Sequence, residues 1–199
     1  MRRALVVVAT ALLLAGCVAV LLTGCATGSG AVAHGGTFEF VSPGGKTDIF
    51  YDPPASRGTV GELSGDSLTE PGTTVSLARY PNRVVVLNIW GSWCGPCRSE
   101  AADLVRVAHA TASQGVQFLG IDVRDARVAG ADFARDFGLT YPSIFDPPGR
   151  TLFALHRIPR SVVPLTIVLD RQHRVAAVFL HAMQAQELQP VVQRVAREP

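Results

Sequence analysis

The apolar positions of this chain follow two rhythms. Predominantly apolar runs occupy residues 84–90, 116–123, 165–169 and 175–180, each short enough for a strand and without regular polar alternation. Runs of that kind predict strands buried on both faces. The stretch 98–112 instead repeats at helical spacing, placing Ala101, Leu104, Val105 and Ala108 on one face. The C-terminal stretch does the same with Leu188, Val191, Val192 and Val195, and Pro190 is expected early in that helix, where a missing N–H does least harm. Residues 128–137 read as a third helix, with Gly138 as its stop. Weaker signals predict short strands at 62–68 and 73–77, an extended piece at 141–145 and a short helix at 150–155. Asp170-Arg171-Gln172-His173 is a turn that joins the last two strands as a pair.

The order β-α-β-α followed by β-β-α implies parallel crossovers and then an antiparallel pair. The fold class is α/β, a central mixed sheet flanked by helices with an N-terminal strand extension. Upstream, Pro43-Gly44-Gly45, Asp52-Pro53-Pro54 and Ser56-Arg57-Gly58 are turn chemistry. Residues 38–41 and 48–51 are the two candidate arms of a hairpin across the first of these turns. The organisation expected is a leader at 1–24, a tether with a possible hairpin at 25–57, and one folded domain at 58–199. A chain of 199 residues with this division has enough material for one well-buried core.

The N-terminus changes the picture of where that domain works. Met1-Arg2-Arg3 precedes a nearly uninterrupted apolar run at 4–22, which is the anatomy of an export signal. Leu22-Thr23-Gly24-Cys25 resembles a bacterial lipobox, in which the new N-terminal cysteine is lipidated. Leu14-Ala15-Gly16-Cys17 resembles one equally well, but cutting there would leave apolar Val18 to Leu22 at the mature start, so Cys25 is the expected lipidation site. Ala26-Thr27-Gly28-Ser29-Gly30 would then be a flexible tether. The alternative is an uncleaved transmembrane helix, since the run approaches the ~20 apolar residues a span needs. Either way the body lies on the extracytoplasmic face of the cell membrane. The formal charge of +2 is accounted for by Arg2 and Arg3, and no basic cluster remains to suggest a nucleic-acid partner.

Candidate chemistry centres on Trp93-Cys94-Gly95-Pro96-Cys97. Of the four cysteines, Cys17 and Cys25 fall in the leader or at its end, so Cys94 and Cys97 are the pair left to the folded body. A Cys-x-x-Cys that ends a strand and opens a helix is a thiol–disulfide layout. The helix start supplies partial positive charge and free N–H groups, both of which favour the thiolate that attacks disulfides. Cys94, exposed by its loop, is the expected nucleophile, and Cys97 resolves the mixed disulfide. A tetrahedral zinc site would need further ligands, and no His or Cys pair lies nearby in sequence, so no metal is expected. Glu100 has two readings: a partly buried carboxyl that exchanges protons with the thiols, or a solvated residue favouring the helix dipole. The histidines are scattered. Arg157-Ile158-Pro159-Arg160 is either a contact for acidic substrates or a solvated loop.

Residues from about 60 to 197 resemble the TlpA/ResA-like branch of the thioredoxin superfamily. The stretch from Leu87 to Arg98, containing Trp93-Cys94-Gly95-Pro96-Cys97, is similar to that family's strand and redox loop. Glu100 stands where this branch carries an acidic residue, and Val163-Pro164 stands where thioredoxin-like proteins place a cis-proline. The resemblance implies a thioredoxin-like fold, no cofactor, and Pro164 opposite the sulfurs, where a substrate chain adds as an extra strand. Trp93 would shield one side of that groove. Asn88 occupies the place of the buried acid of cytosolic thioredoxins. The implied activity is extracytoplasmic reduction of protein disulfides, with cytochrome c maturation as one setting. The implied partners are protein thiol or disulfide substrates and an integral membrane thiol reductase as electron donor; a monomer is expected. Leu165 and the run Phe179-Leu180-His181-Ala182 depart from the family, which commonly has a small residue and a glycine there. The competing readings are a disulfide oxidant, a metallochaperone on the same fold, whose copper-delivering forms use three residues between cysteines, and a peroxidase relative with a lone reactive cysteine.

Overall fold

The computed structural model describes residues 36–199; the leader, Cys17 and Cys25 lie outside the described residues. In chain order the strands are β1 (Asp48–Phe50), β2 (Ser64–Asp66), β3 (Thr74–Ser76), β4 (Val84–Trp90), β5 (Val116–Val123), β6 (Ser143–Asp146), β7 (Leu165–Leu169) and β8 (Val175–Phe179). The helices are α1 (Gly95–Thr111), α2 (Arg127–Asp136) and α3 (Ala185–Ala196). Six strands form one sheet in the order β1-β8-β7-β4-β5-β6. β4, β5 and β6 are mutually parallel, whereas β7 runs antiparallel to β4 and β8 antiparallel to β7. This is the mixed sheet the element order predicts.

The central strand β4 is buried at every position, because helices cover one face of the sheet and the loops and N-terminal segment cover the other. On one face Val84, Val86 and Phe118 meet Leu104 and Val107 of α1 and Leu188, Val192 and Val195 of α3. On the other, Val85, Leu87 and Ile89 meet Phe38, Tyr51, Leu63 and Leu155. Gly138 ends α2 as expected: its φ is +66°, and its N–H donates to the Arg135 carbonyl at 3.1 Å.

Four expectations change. The hairpin of 38–41 with 48–51 does not form. Instead β1 pairs antiparallel with β8, Ile49 opposite Val178, and Thr37 bridges Thr59. The edge of β8 offers unpaired backbone groups and an apolar face for Ile49, which a two-stranded hairpin lacks. β1 therefore belongs to the central sheet, although it lies inside the stretch read as tether. The predicted strands at 62–68 and 73–77 shrink to β2 and β3, a separate two-stranded sheet that leans on the β6 edge through the Leu68 N–H to Ser143 carbonyl bond of 2.9 Å. Residues 150–155 hold only a 3-10 turn, Thr151–Ala154. Pro190 sits inside α3, beyond its first turn, so the helix forgoes one ladder hydrogen bond there.

The N-terminal segment is locked to the rest by Arg57, whose side chain is fully buried. Its guanidinium meets Asp52 at 2.9 Å, Asp170 at 3.3 Å and Glu198 at 2.5 Å, and its Nε donates to the Tyr51 carbonyl at 2.9 Å. One cation thus joins the segment before β2, the β7–β8 turn and the C-terminus. Among the described residues no helix is long and apolar enough to cross a membrane.

Candidate active site

β4 delivers the chain to the site and α1 carries it away. After Trp90 the loop turns over Gly91, and Cys94 becomes the N-cap of α1. Its Sγ accepts the Cys97 N–H at 3.2 Å, so a helix-start donor points at the sulfur that would carry charge. Cys94 and Cys97 are joined as a disulfide, with Cα atoms 5.3 Å apart. Contrary to the expected exposure of Cys94, both are buried, at 3% and 2%. They pack with Leu68, Trp90, Ala101 and Phe133, and Val163 closes on the same cluster. The Val163–Pro164 peptide is cis, at the entry to β7.

The loop before the cysteines is braced from the C-terminal end of β5 and the turn beyond it. Asp125 accepts from the Ser92 N–H at 2.5 Å and from its hydroxyl at 2.8 Å. The Trp93 indole N–H donates to the Val123 carbonyl at 3.1 Å, leaving the ring half exposed beside the sulfurs. Arg124 lies over that ring, 4.7 Å from its centroid. Arg98 donates to the Ser92 carbonyl at 2.6 Å while stacking on Phe133. Sequence reasoning missed Ser92, Arg124 and Asp125, since nothing local marks a residue on β5's exit as a brace for a loop some thirty positions earlier.

Glu100 is one helical turn beyond Cys97, on the same face of α1. It is buried, at 2% exposure, which removes the solvated reading. One carboxyl oxygen accepts from Asn88 Nδ2 at 2.9 Å and the other from the Met183 N–H at 2.9 Å. Burial raises the carboxyl from 4.5 to about 7; the Met183 and Asn88 donors and the nearby His181 restrain the rise. Asn88, on β4, thus donates to the buried acid of α1. The Met183 donor comes after β8, in the segment that leads into α3. Asp122, next to Trp90 across the β4–β5 pairing, is a second buried acid; burial and then the charge of Asp125 raise it to about 8. Neither of its oxygens has a hydrogen-bond partner among the described residues.

The sequence model of the AhpC/TSA family matches residues 62–178, more than half of the chain. The chain belongs to that family. Among solved structures, this AhpC/TSA-family chain is similar to a secreted thiol–disulfide isomerase from Corynebacterium glutamicum: 48% identity, 82% of this chain and 100% of that one covered, TM-score 0.79. A DsbF homologue from Corynebacterium diphtheriae shares 51% identity, with 80% and 99% covered and a TM-score of 0.75. The fold is therefore thioredoxin-like. Thiol–disulfide oxidoreductase ResA of Geobacillus kaustophilus is 29% identical over 113 residues, 57% of this chain and 63% of ResA. The match thus spans less than two thirds of that relative's length.

Proposed function

We propose that this protein is an extracytoplasmic thiol–disulfide oxidoreductase that reduces protein disulfides through Cys94 and Cys97. The observation that carries the reading is the bonded cysteine pair at the start of α1 with the buried, near-neutral carboxyl of Glu100 one turn away. In the reduced protein the Cys94 thiolate attacks a substrate disulfide. A mixed disulfide forms and one substrate thiolate leaves. The Cys97 thiol gives its proton to Glu100 and its sulfur attacks Cys94 Sγ, which releases the second substrate sulfur as a thiolate and leaves the Cys94–Cys97 disulfide. An acid poised near neutrality accepts this proton readily and returns it when the pair is reduced again. Trp93 and the Val163–Pro164 segment flank the sulfurs as the substrate groove. The similarity to a secreted thiol–disulfide isomerase supports work on exported proteins; cytochrome c maturation is one setting for it, and an integral membrane thiol reductase is the electron donor this reading calls for. Lipidation at Cys25 would hold the domain at the membrane.

The test is redox equilibration of the protein against glutathione, together with trapping. A reduction potential well below about −200 mV is expected, and a value near −120 mV would instead make the protein an oxidant. Cys97→Ser should accumulate mixed disulfides with substrates. Full activity of Cys94→Ser would overturn the nucleophile assignment.

A further inference from the structure

A groove of about 460 Å³ lies between Val123–Arg124 and Arg160–Ser161, and each of these walls is linked to the redox pair through one intervening residue. One wall is Val123–Arg124: Val123 takes the Trp93 indole hydrogen bond, Arg124 lies over the Trp93 ring, and Trp93 is the neighbour of Cys94. The other wall is Arg160–Ser161, two residues before Val163, which packs on the cluster that holds both sulfurs.

Two cations line the groove and none of the described carboxylates pairs with either. Arg124 and Arg160 are exposed, and among the described residues neither makes an ion pair. Each guanidinium instead lies on an aromatic face, Arg124 on Trp93 at 4.7 Å and Arg160 on Phe153 at 4.3 Å. Stacking fixes the plane of a guanidinium and leaves its edge N–H groups free for a carboxylate. Arg124 holds a left-handed backbone, φ +54°, kept there by its N–H bond to the Pro147 carbonyl at 3.0 Å. That is an uncommon conformation for a side-chain-bearing residue, and it occurs where the side chain is laid over the active-site tryptophan. The neighbouring acids are already engaged. Asp125 accepts from Ser92 and the Ala126 N–H, and Asp146 from the Arg150 and Thr151 N–H groups. Arg157, by contrast, is neutralised by Glu39 at 2.7 Å.

We propose that Arg124 and Arg160 form an acidic-substrate subsite, selecting cysteine-bearing segments that carry carboxylates within a few residues of the attacked sulfur. The proposal rests on the oxidoreductase reading above and names the substrate class for the same site. The arginines are specificity determinants; they take no part in the sulfur chemistry.

The test uses the reduced full chain and three disulfide peptides that differ only in Glu, Gln or Lys at the positions flanking one cysteine. An exposed ion pair is worth on the order of threefold, so two give the Glu peptide about a tenfold advantage over the Gln peptide in kcat/KM. That ratio is expected to fall with added salt and to approach one in R124Q/R160Q. In R124E/R160E the preference should pass to the Lys peptide. Because ratios are compared within one protein, a general loss of reactivity does not mimic the effect. Equal rates for the three peptides, or an acidic preference that survives R124Q/R160Q, overturns the subsite while leaving the oxidoreductase reading intact. Failure of the unaltered protein to exchange with any peptide overturns that reading and the subsite with it.

Discussion

Replacing Glu100 by glutamine isolates the energetic consequence of burying an acid beside the redox pair. The carboxyl titrates at 4.5 when unperturbed and at about 7 in the fold. At about 1.4 kcal/mol per unit, that shift is worth about 3 kcal/mol. The folded state keeps a proton that the unfolded chain releases, so stability is fully present below pH 4.5, falls between 4.5 and 7, and levels off above the folded value. The substitution keeps the packing. Glutamine's oxygen can accept from the Met183 N–H, and its amide can donate to Asn88 once that side chain turns its oxygen inward, with the Thr166 hydroxyl 3.4 Å away able to donate to the same oxygen. Urea unfolding of the oxidised proteins from pH 4 to 8.5 measures the difference. The glutamine variant should gain about 3 kcal/mol on the unaltered chain across that range, with equal slopes in denaturant. Other titrating groups, including Asp122, are common to both proteins and cancel. A difference that does not change with pH would refute the buried, proton-holding carboxyl. In peptide-disulfide exchange, the same variant should lose the pH dependence centred near 7.

The packing leads to three further expected outcomes. Arg57→Met leaves the buried Asp170 with Arg174 as its remaining cation and frees the C-terminus, and should cost about 2–3 kcal/mol by denaturant unfolding; a loss under about 1 kcal/mol would contradict the clasp. Asp122→Asn should flatten the fall in stability that the aspartate causes as pH rises from 4 through about 8, and an unchanged pH profile in thermal unfolding would show that the residue is ionised throughout. Gly130→Ala should destabilise by about 1–2 kcal/mol, although alanine favours helix, because its Cβ would collide with the Asp122 carboxyl and sit 3.2 Å from Leu68 Cδ1; a gain in melting temperature would disprove that close approach.

The features legible in the sequence are those that a local pattern encodes. The runs of β4, β5 and β7 are apolar because both their faces are covered, and Gly138 marks the end of α2 because left-handed backbone favours glycine. The redox pair declares itself by spacing. What escaped is what depends on partners far along the chain. Residues 48–50 carry too little pattern to say whether they pair with 38–41 or with β8 across more than a hundred residues. Arg57 is one basic residue in a turn-rich stretch until Asp170 and Glu198 close on it. Glu100 keeps two readings, a partly buried carboxyl or a solvated one, until Asn88 and Met183 arrive from two other parts of the chain. The place of Pro190 within α3 depends on where the helix begins, and an apolar stripe does not mark that start.

The two buried acids differ in partners more than in depth, and the difference orders their behaviour. Glu100 and Asp122 are both almost fully enclosed. Glu100 accepts two hydrogen bonds, which favour its charged form and hold it near 7. Asp122 accepts none and lies close to the charge of Asp125, so it stays protonated to a higher pH, about 8. That neutrality has a structural use. Asp125 binds the Ser92 N–H and hydroxyl and so braces the loop that presents Trp93 and Cys94. A second negative charge at Asp122 would repel the first across the same few residues. Keeping Asp122 neutral spares the Asp125–Ser92 brace that repulsion, while Glu100, on the cysteines' own helix, is left as the acid whose proton moves near neutral pH. The separation requires that hydrogen-bond donors reach one carboxyl and not the other, and the long-range placement of Asn88 and Met183 supplies it.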